Sequence, residues 1–240
     1  MKKYIEKAPK TQGEAALTGL PTDIRPATFT PFVVSEPDPI VIVVDDDASF
    51  LRSVQRLIRA EGFKVLTFSS AEEFLLSSLP DAPACLVLDV QLPDWSGLDL
   101  QRQLVRVGLH IPIIFMTGHG DIPMSVQAMK AGAAEFLTKP FEKQDLLRAI
   151  AQGIERARVG RKQRAKLVEL RGRYESLTTR QREVMAHVVS GMPNKQIAAE
   201  LGTTEKTVKF HRGHMMHKML VGSVADLVRA ATALGVQGKN

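Results

Sequence analysis

With one cysteine, one tryptophan and two tyrosines in 240 residues, the chain is poor in thiols and in large polar aromatics. A single thiol, Cys85, excludes an internal disulfide, and its place within an apolar run marks it as a small core residue. No apolar run reaches the ~18–20 residues that a membrane-spanning helix needs, so no membrane partner is expected. The opening MKKYIEKAPK is basic but lacks the apolar stretch of a secretion signal, which predicts a cytoplasmic chain. Acidic residues are scarce in one region only. Residues 161–240 hold 15 Lys/Arg against 6 Asp/Glu, whereas residues 1–160 hold 17 against 20. A basic second part points to a polyanion, with nucleic acid the first candidate.

Residues 1–38 carry five prolines and no sustained periodicity, and read as a flexible extension. From Pro39 the pattern changes to short apolar runs alternating with amphipathic segments. The runs are IVIVV (40–44), KVLTF (64–68), ACLVL (84–88), PIIFM (112–116) and EFLT (135–138). Helices are expected between them, over about 48–61, from Ser70, over 97–107, over 123–131 and from Lys143. Strands that are apolar on both faces predict an α/β, doubly wound, five-stranded parallel sheet over residues 39–155. The last helix continues through RKQRAKLVELRGRYE to about Glu175, so residues 143–175 form a connecting helix. An all-α domain then spans 176–240.

Polar residues stand at four strand ends: Asp45 and Asp46 after the first, Asp89 after the third, Thr117 after the fourth and Lys139 after the fifth. In a parallel sheet these ends converge on one crevice, the usual ligand position. Carboxylates there suit Mg²⁺, a hard cation that takes one or two of them along with water and phosphate oxygens. Asp89 then has an oxygen free to attack phosphorus. Lys139 can pair with the transferred oxygens and Thr117 can donate to one, while Gly118 and Gly120 let the backbone approach an anion. Aspartyl-phosphate phosphatases use the same chemistry but need a second acid two residues after the nucleophile. Gln91 stands at that position, so the phosphoryl group should be released slowly and the chain is not expected to be an enzyme.

The strings VDDD, LVLDVQLPDWSGLDL and MTGHGDIPMSVQAMKAGAAEFLTKPF resemble the receiver domain of two-component response regulators, specifically the FixJ type. The resemblance implies a flavodoxin-like receiver in which a sensor histidine kinase phosphorylates Asp89. By that resemblance Asp45, Asp46, Asp89 and the Gln91 carbonyl hold Mg²⁺, Lys139 and Thr117 read the phosphoryl group, and Phe136 is the switch aromatic. It also implies a cis Lys139–Pro140 bond, a switch and dimer face around residues 122–142, and homodimerisation on phosphorylation.

In the basic part, Thr178 with Gln181 forms a capping box for a first helix through about Val189. Asn194 is expected to cap a second helix ending at Leu201, where Gly202 stops it. Thr204 is expected to cap a third, over about 205–220. Val208, Met215 and Met219 make its core face. Four histidines in this region lack a Cys or acidic partner at metal spacing. The stretch 176–236 is similar to the LuxR/NarL-type helix-turn-helix domain, through LTTRQREVM, NKQIAAELG and KTVKFHR. This implies a four-helix unit that binds promoter DNA, with residues 223–234 as the fourth helix and RNA polymerase as a further candidate partner. The residues expected to meet DNA are Lys195, Thr204, Lys206, Thr207, Lys209, Phe210, Arg212 and Gly213. Leu220 and Gly222 depart from the glycine and arginine common in that family. A phosphorylation-independent regulator that uses the receiver as a scaffold is the alternative reading.

Overall fold

The five runs form the strands of one parallel sheet: the central three are almost wholly apolar and are buried between two helical layers, while the edge strands KVLTF and EFLT are partly exposed. The computed structural model describes residues 36–93, 95–118, 126, 128–236 and 238. The strands are β1 (Ile40–Val44), β2 (Lys64–Phe68), β3 (Ala84–Asp89), β4 (Ile113–Thr117) and β5 (Glu135–Thr138). Their order is β2-β1-β3-β4-β5. The winding direction therefore reverses between β1 and β3, the position where open α/β sheets leave a crevice beyond the strand carboxyl ends.

The flanking helices are α1 (Ala48–Ala60), α2 (Ala71–Leu76) and α3 (Gly97–Arg106). Next come α4 (Lys143–Glu175), α5 (Thr179–Val189), α6 (Asn194–Glu200), α7 (Glu205–Met219) and α8 (Val224–Leu234). Of the helix expected over 123–131, Val126 and 128–130 are helical and the remainder to Gln127 lies outside the described residues. One face of the sheet packs Ile42, Leu86, Leu88 and Phe115 against Phe74, Leu100 and Leu104. The other packs Val43, Val87 and Ile114 against Val54, Ile58 of α1 and Leu146, Ile150 of α4.

Helix α4 runs without a break through Gly160. Its first half buries Leu146, Ala149, Ile150, Gly153, Ile154 and Ala157 in the receiver core. Its last turns place Leu170 and Tyr174 against a second core built on Val184, Ile197, Val208, Met215 and Leu227. The helical domain thus begins within α4, some residues before Ser176. Just before β1, Glu36 pairs with Lys162 at 2.8 Å and Asp38 with Lys64 at 3.0 Å, both at the surface.

Capping follows the sequence with one change. Ser70 caps α2 by accepting from the Glu73 N–H, and the Glu73 carboxylate accepts from the Ser69 N–H. Pro193, not Asn194, occupies the N-cap of α6. The Asn194 side chain is taken instead by Arg212, whose Nη1 donates to its Oδ1 at 3.0 Å. A tertiary bond outcompeted the local one.

Candidate functional site

Strand register brings the four polar signals together. Val44 pairs with Leu88, which sets Asp45 and Asp89 side by side on adjacent strands. Asp89 pairs with Met116 and Thr117 with Thr138, so Thr117 stands one residue above Asp89, and Lys139 another above that. The Lys139 N–H donates to the Thr117 carbonyl at 2.7 Å, which fixes the end of the staircase. The Lys139–Pro140 bond is cis, as expected.

The Lys139 side chain reaches back across the strand ends to β1 and β3. Its Nζ donates to Asp45 Oδ2 and to Asp89 Oδ2, each at 2.6 Å. Asp45 is fully buried and Asp89 nearly so, whereas Asp46 is exposed. Burial pushes the Asp45 carboxyl above its ordinary range, against the opposing pull of Lys139 and the Asp47 N–H. Burial also works against the Lys139 charge, yet its bonds to the two carboxylates outweigh this and hold its pKa above the usual lysine value. Candidate ligand oxygens of Asp45, Asp46 and Asp89 all lie within 4.8 Å of one another. Three hard oxygens facing a single ammonium leave negative charge over, and this donor set fits a small divalent cation.

The backbone holds the carboxylates in place. The Asp47 N–H donates to Asp45 Oδ1 and the Gln91 N–H to Asp89 Oδ1, both at 2.9 Å. The latter bond puts Gln91 at the site. Thr117 is buried at the end of β4. Phe136 is half-buried, with its ring centroid 6.5 Å from that of Phe115. Gly118 is described and exposed, but Gly120 lies outside the described residues, as do 122–125 and 127 of the expected switch face.

Four further residues complete the site and were not singled out from sequence. Asp47 caps α1, accepting from the Ser49 and Phe50 N–H groups, which hold its carboxyl below the usual range. Phe50, in the first turn of α1, lies under Lys139 with Nζ 4.1 Å from the ring centroid. Phe141 meets that ring edge to face at 6.1 Å. Gly97 opens α3 against the end of β3. A Cβ there would lie 2.5 Å from the Asp89 carbonyl oxygen and 3.1 Å from Val90 Cα. The signal for Phe50 was its helix-start position just after the acidic loop; the signal for Gly97 was a glycine inside an amphipathic pattern.

In the basic domain, α5 starts with the full Thr178–Gln181 capping box and α7 with Thr204 accepting from the Thr207 N–H. Val208, Met215 and Met219 are buried on α7. Lys206, Lys209, Phe210 and Gly213 are exposed on it, as is Lys195 on α6. Lys209 pairs with Glu205 at 3.0 Å. The Thr204 and Thr207 hydroxyls bond each other at 2.9 Å. Arg212 does not join the outward set, being engaged with Asn194 between helices. Leu220 ends α7 at φ 53°, the left-handed conformation that a glycine would adopt without cost. No helix among the described residues is long and apolar enough to cross a membrane.

Two family descriptions match the chain: the response regulator receiver domain over residues 41–151, and the luxR family of bacterial regulatory proteins over 175–231. Nodulation protein W of Bradyrhizobium diazoefficiens is 51% identical over 84% of this chain and 88% of its own. The response regulator protein TmoT of Ectopseudomonas mendocina is 46% identical over 84% and 91%. The solved response regulator StyR is 48% identical, covers 81% of this chain and 98% of its own, and superposes with a TM-score of 0.70. The acidic crevice and the basic helical domain, joined through α4, thus have one explanation: the chain belongs to the response regulators that couple a receiver domain to a LuxR-type DNA-binding domain and act in transcription regulation.

Proposed function

We propose that the protein is switched by phosphorylation of Asp89 and that the switched form binds promoter DNA as a homodimer in the cytoplasm. The observation that carries this is Lys139, whose ammonium rests 2.6 Å from both Asp45 and Asp89 beside a third carboxylate. A sensor histidine kinase supplies the group. An Asp89 oxygen bonds to phosphorus as the P–N bond of the donor phosphohistidine breaks, and the departing imidazole nitrogen keeps the electron pair. Lys139 shifts its pairing from carboxylate to phosphoryl oxygens, and the Thr117 hydroxyl donates to one of them. Asp45, Asp46, Asp89 and the Gln91 carbonyl would hold Mg²⁺, which would supply positive charge to offset that of the transferring group.

Gln91 has no proton to exchange at ordinary pH, so water is not activated and the acyl phosphate persists. The chain therefore stores a signal and is not a metabolic enzyme. Added charge then biases a two-state receiver, with Phe136 beside Phe115 as its aromatic element. Lys195, Lys206 and Lys209 meet phosphates or base edges of the duplex, and RNA polymerase is the downstream partner.

Incubation with acetyl phosphate and Mg²⁺ tests the first step. The intact mass should rise by one phosphoryl group and Asp89→Asn should abolish the gain. No gain with any phospho-donor would return the reading to a DNA-binding protein with a receiver scaffold. DNA affinity should fall steeply with salt and fall further in Lys209→Ala; a salt-independent signal would contradict the output half.

A further inference from the structure

On α7 a large apolar side chain faces solvent in the centre of the basic face. Phe210 is 60% exposed. At ~100° per residue it lies roughly 200° round the helix from Val208, so it is opposite the buried stripe and flanked by Lys206 and Lys209. Its neighbours within the domain leave most of the ring uncovered. Set among lysines on this face, the ring adds an apolar contact group beside charged donors.

Its ring also has two ring neighbours that restrict its rotamers. His214, one turn on, lies with its ring centroid 4.2 Å away, and His214 Nδ1 is 2.9 Å from the Phe210 carbonyl oxygen. His211 meets the ring from another side at 5.7 Å in an edge contact. A restricted aromatic loses little conformational freedom on binding, which is what a specificity contact requires.

Gly213 is the second, independent observation. Glycine weakens a helix interior relative to alanine, yet it stands in the middle of α7. A Cβ built there would meet no atom within 4 Å. Packing within the chain therefore does not require the glycine. It lies on the same outward face as Phe210, about 60° away on the side opposite His214, and leaves a gap next to the ring.

Resting on the DNA-binding reading above, the geometry points to a thymine-methyl reader: Phe210 packs on the C5 methyl of one thymine in the major groove, and the missing side chain at Gly213 makes room for that base edge. The thymine methyl is the apolar group that the major groove presents, and its contact with apolar side chains distinguishes thymine from the other three bases. Lys209 and Lys206 supply charge and donors to the neighbouring guanine edges or phosphates. They cannot sense a methyl group.

The test uses the full chain, treated with acetyl phosphate and Mg²⁺. A binding site is first selected from a randomised duplex library, and each thymine in it is then replaced singly by deoxyuridine, which removes only the methyl. At one thymine per half-site the wild-type affinity should drop about fourfold, the value of one buried methyl group. In Phe210→Ala the same replacement should have no effect, and Phe210→Leu should keep part of the discrimination. Lys209→Ala should weaken thymine and uracil sites alike. Gly213→Ala should keep or raise the thermal midpoint while weakening the selected site severalfold. Because Phe210 and Gly213 are outside the core, loss of binding in these variants would not reflect unfolding, and a melting curve verifies this. Sequence-selective binding with every thymine-to-uracil change neutral would overturn the inference and leave the regulator reading intact. Failure to enrich any sequence, with affinity no better than for random duplex, would overturn the DNA reading itself.

Discussion

Lys139 Nζ lies 2.6 Å from Asp89 Oδ2 although β4 separates their strands. The long side chain crosses that strand end and stands in for a cation among the carboxylates. Lys139→Ala should therefore leave buried Asp45 without its counter-charge and destabilise the metal-free protein by about 3 kcal/mol. Saturating Mg²⁺ should restore most of this by binding the folded state alone, as urea titrations with Mg²⁺ and with a chelator would show. The pH dependence follows from the raised Lys139 pKa. Its contribution is fully present below the ordinary value of 10.5 and is lost as pH rises through the higher folded value. Alkaline unfolding should begin earlier in the alanine variant only if another group dominates; loss of this high-pH step in Lys139→Ala is the expected result.

Phe50 offers the Lys139 ammonium a ring face, with Nζ 4.1 Å from its centroid. Phe50→Leu should cost about 1 kcal/mol from the lost cation–π contact, whereas Phe50→Tyr should be close to neutral. A double-mutant cycle with Lys139→Met should give a coupling of about 0.5–1 kcal/mol. Additive effects would mean the ring is merely core.

Gly153 is a packing glycine that its helix pattern hid. A Cβ there would lie 2.6 Å from Cys85 Sγ, in the interior of β3, where neither atom has room to move. Gly153→Ala should destabilise the receiver by about 1–3 kcal/mol, and Cys85→Ala should recover part of the loss. Burial pushes the Cys85 thiol up to about 12, so an exposed-thiol reagent at pH 8 should label it only on unfolding.

Leu220 closes α7 in the left-handed region with its side chain 65% exposed. Leu220→Gly should remove the conformational cost while losing little packing, and stabilise the helical domain by about 0.5–1 kcal/mol. The following helix depends on Ser223, whose hydroxyl accepts from the Asp226 N–H and donates to its carboxylate. Ser223→Ala should cost about 1 kcal/mol. The Ser223 bond is the first cause of the lowered Asp226 pKa, so this support is present above the ordinary value of 3.8 and is lost as pH falls through the folded one. Thermal melts between neutral pH and pH 3 would show the wild type losing its advantage over Ser223→Ala.

The strands were legible because an apolar run such as IVIVV has one stable destination, between two layers. The positions of Asp45, Asp89, Thr117 and Lys139 were legible because strand ends in a parallel sheet share one edge. The ties that cross between elements were not. Asn194 carries every local mark of a cap, but Arg212, eighteen positions on, claims its oxygen. Phe50 and Gly153 are ordinary helix residues until a second element, Lys139 in one case and Cys85 in the other, is laid against them. Periodicity describes one element at a time, and these roles belong to pairs.

Gly97 has a mechanical consequence for the switch. With α3 pressed so closely on the Asp89 carbonyl that a methyl group would not fit, the acceptor strand has an anvil on one side. The Gly97 N–H bond to the Val90 carbonyl at 2.8 Å clamps it there. Under the proposed phosphorylation, a new group on Asp89 would meet a stiff contact in that direction. The strand ends that carry Thr117 and Lys139 are then the side expected to move, so the stiff wall of the crevice would give the signal its direction.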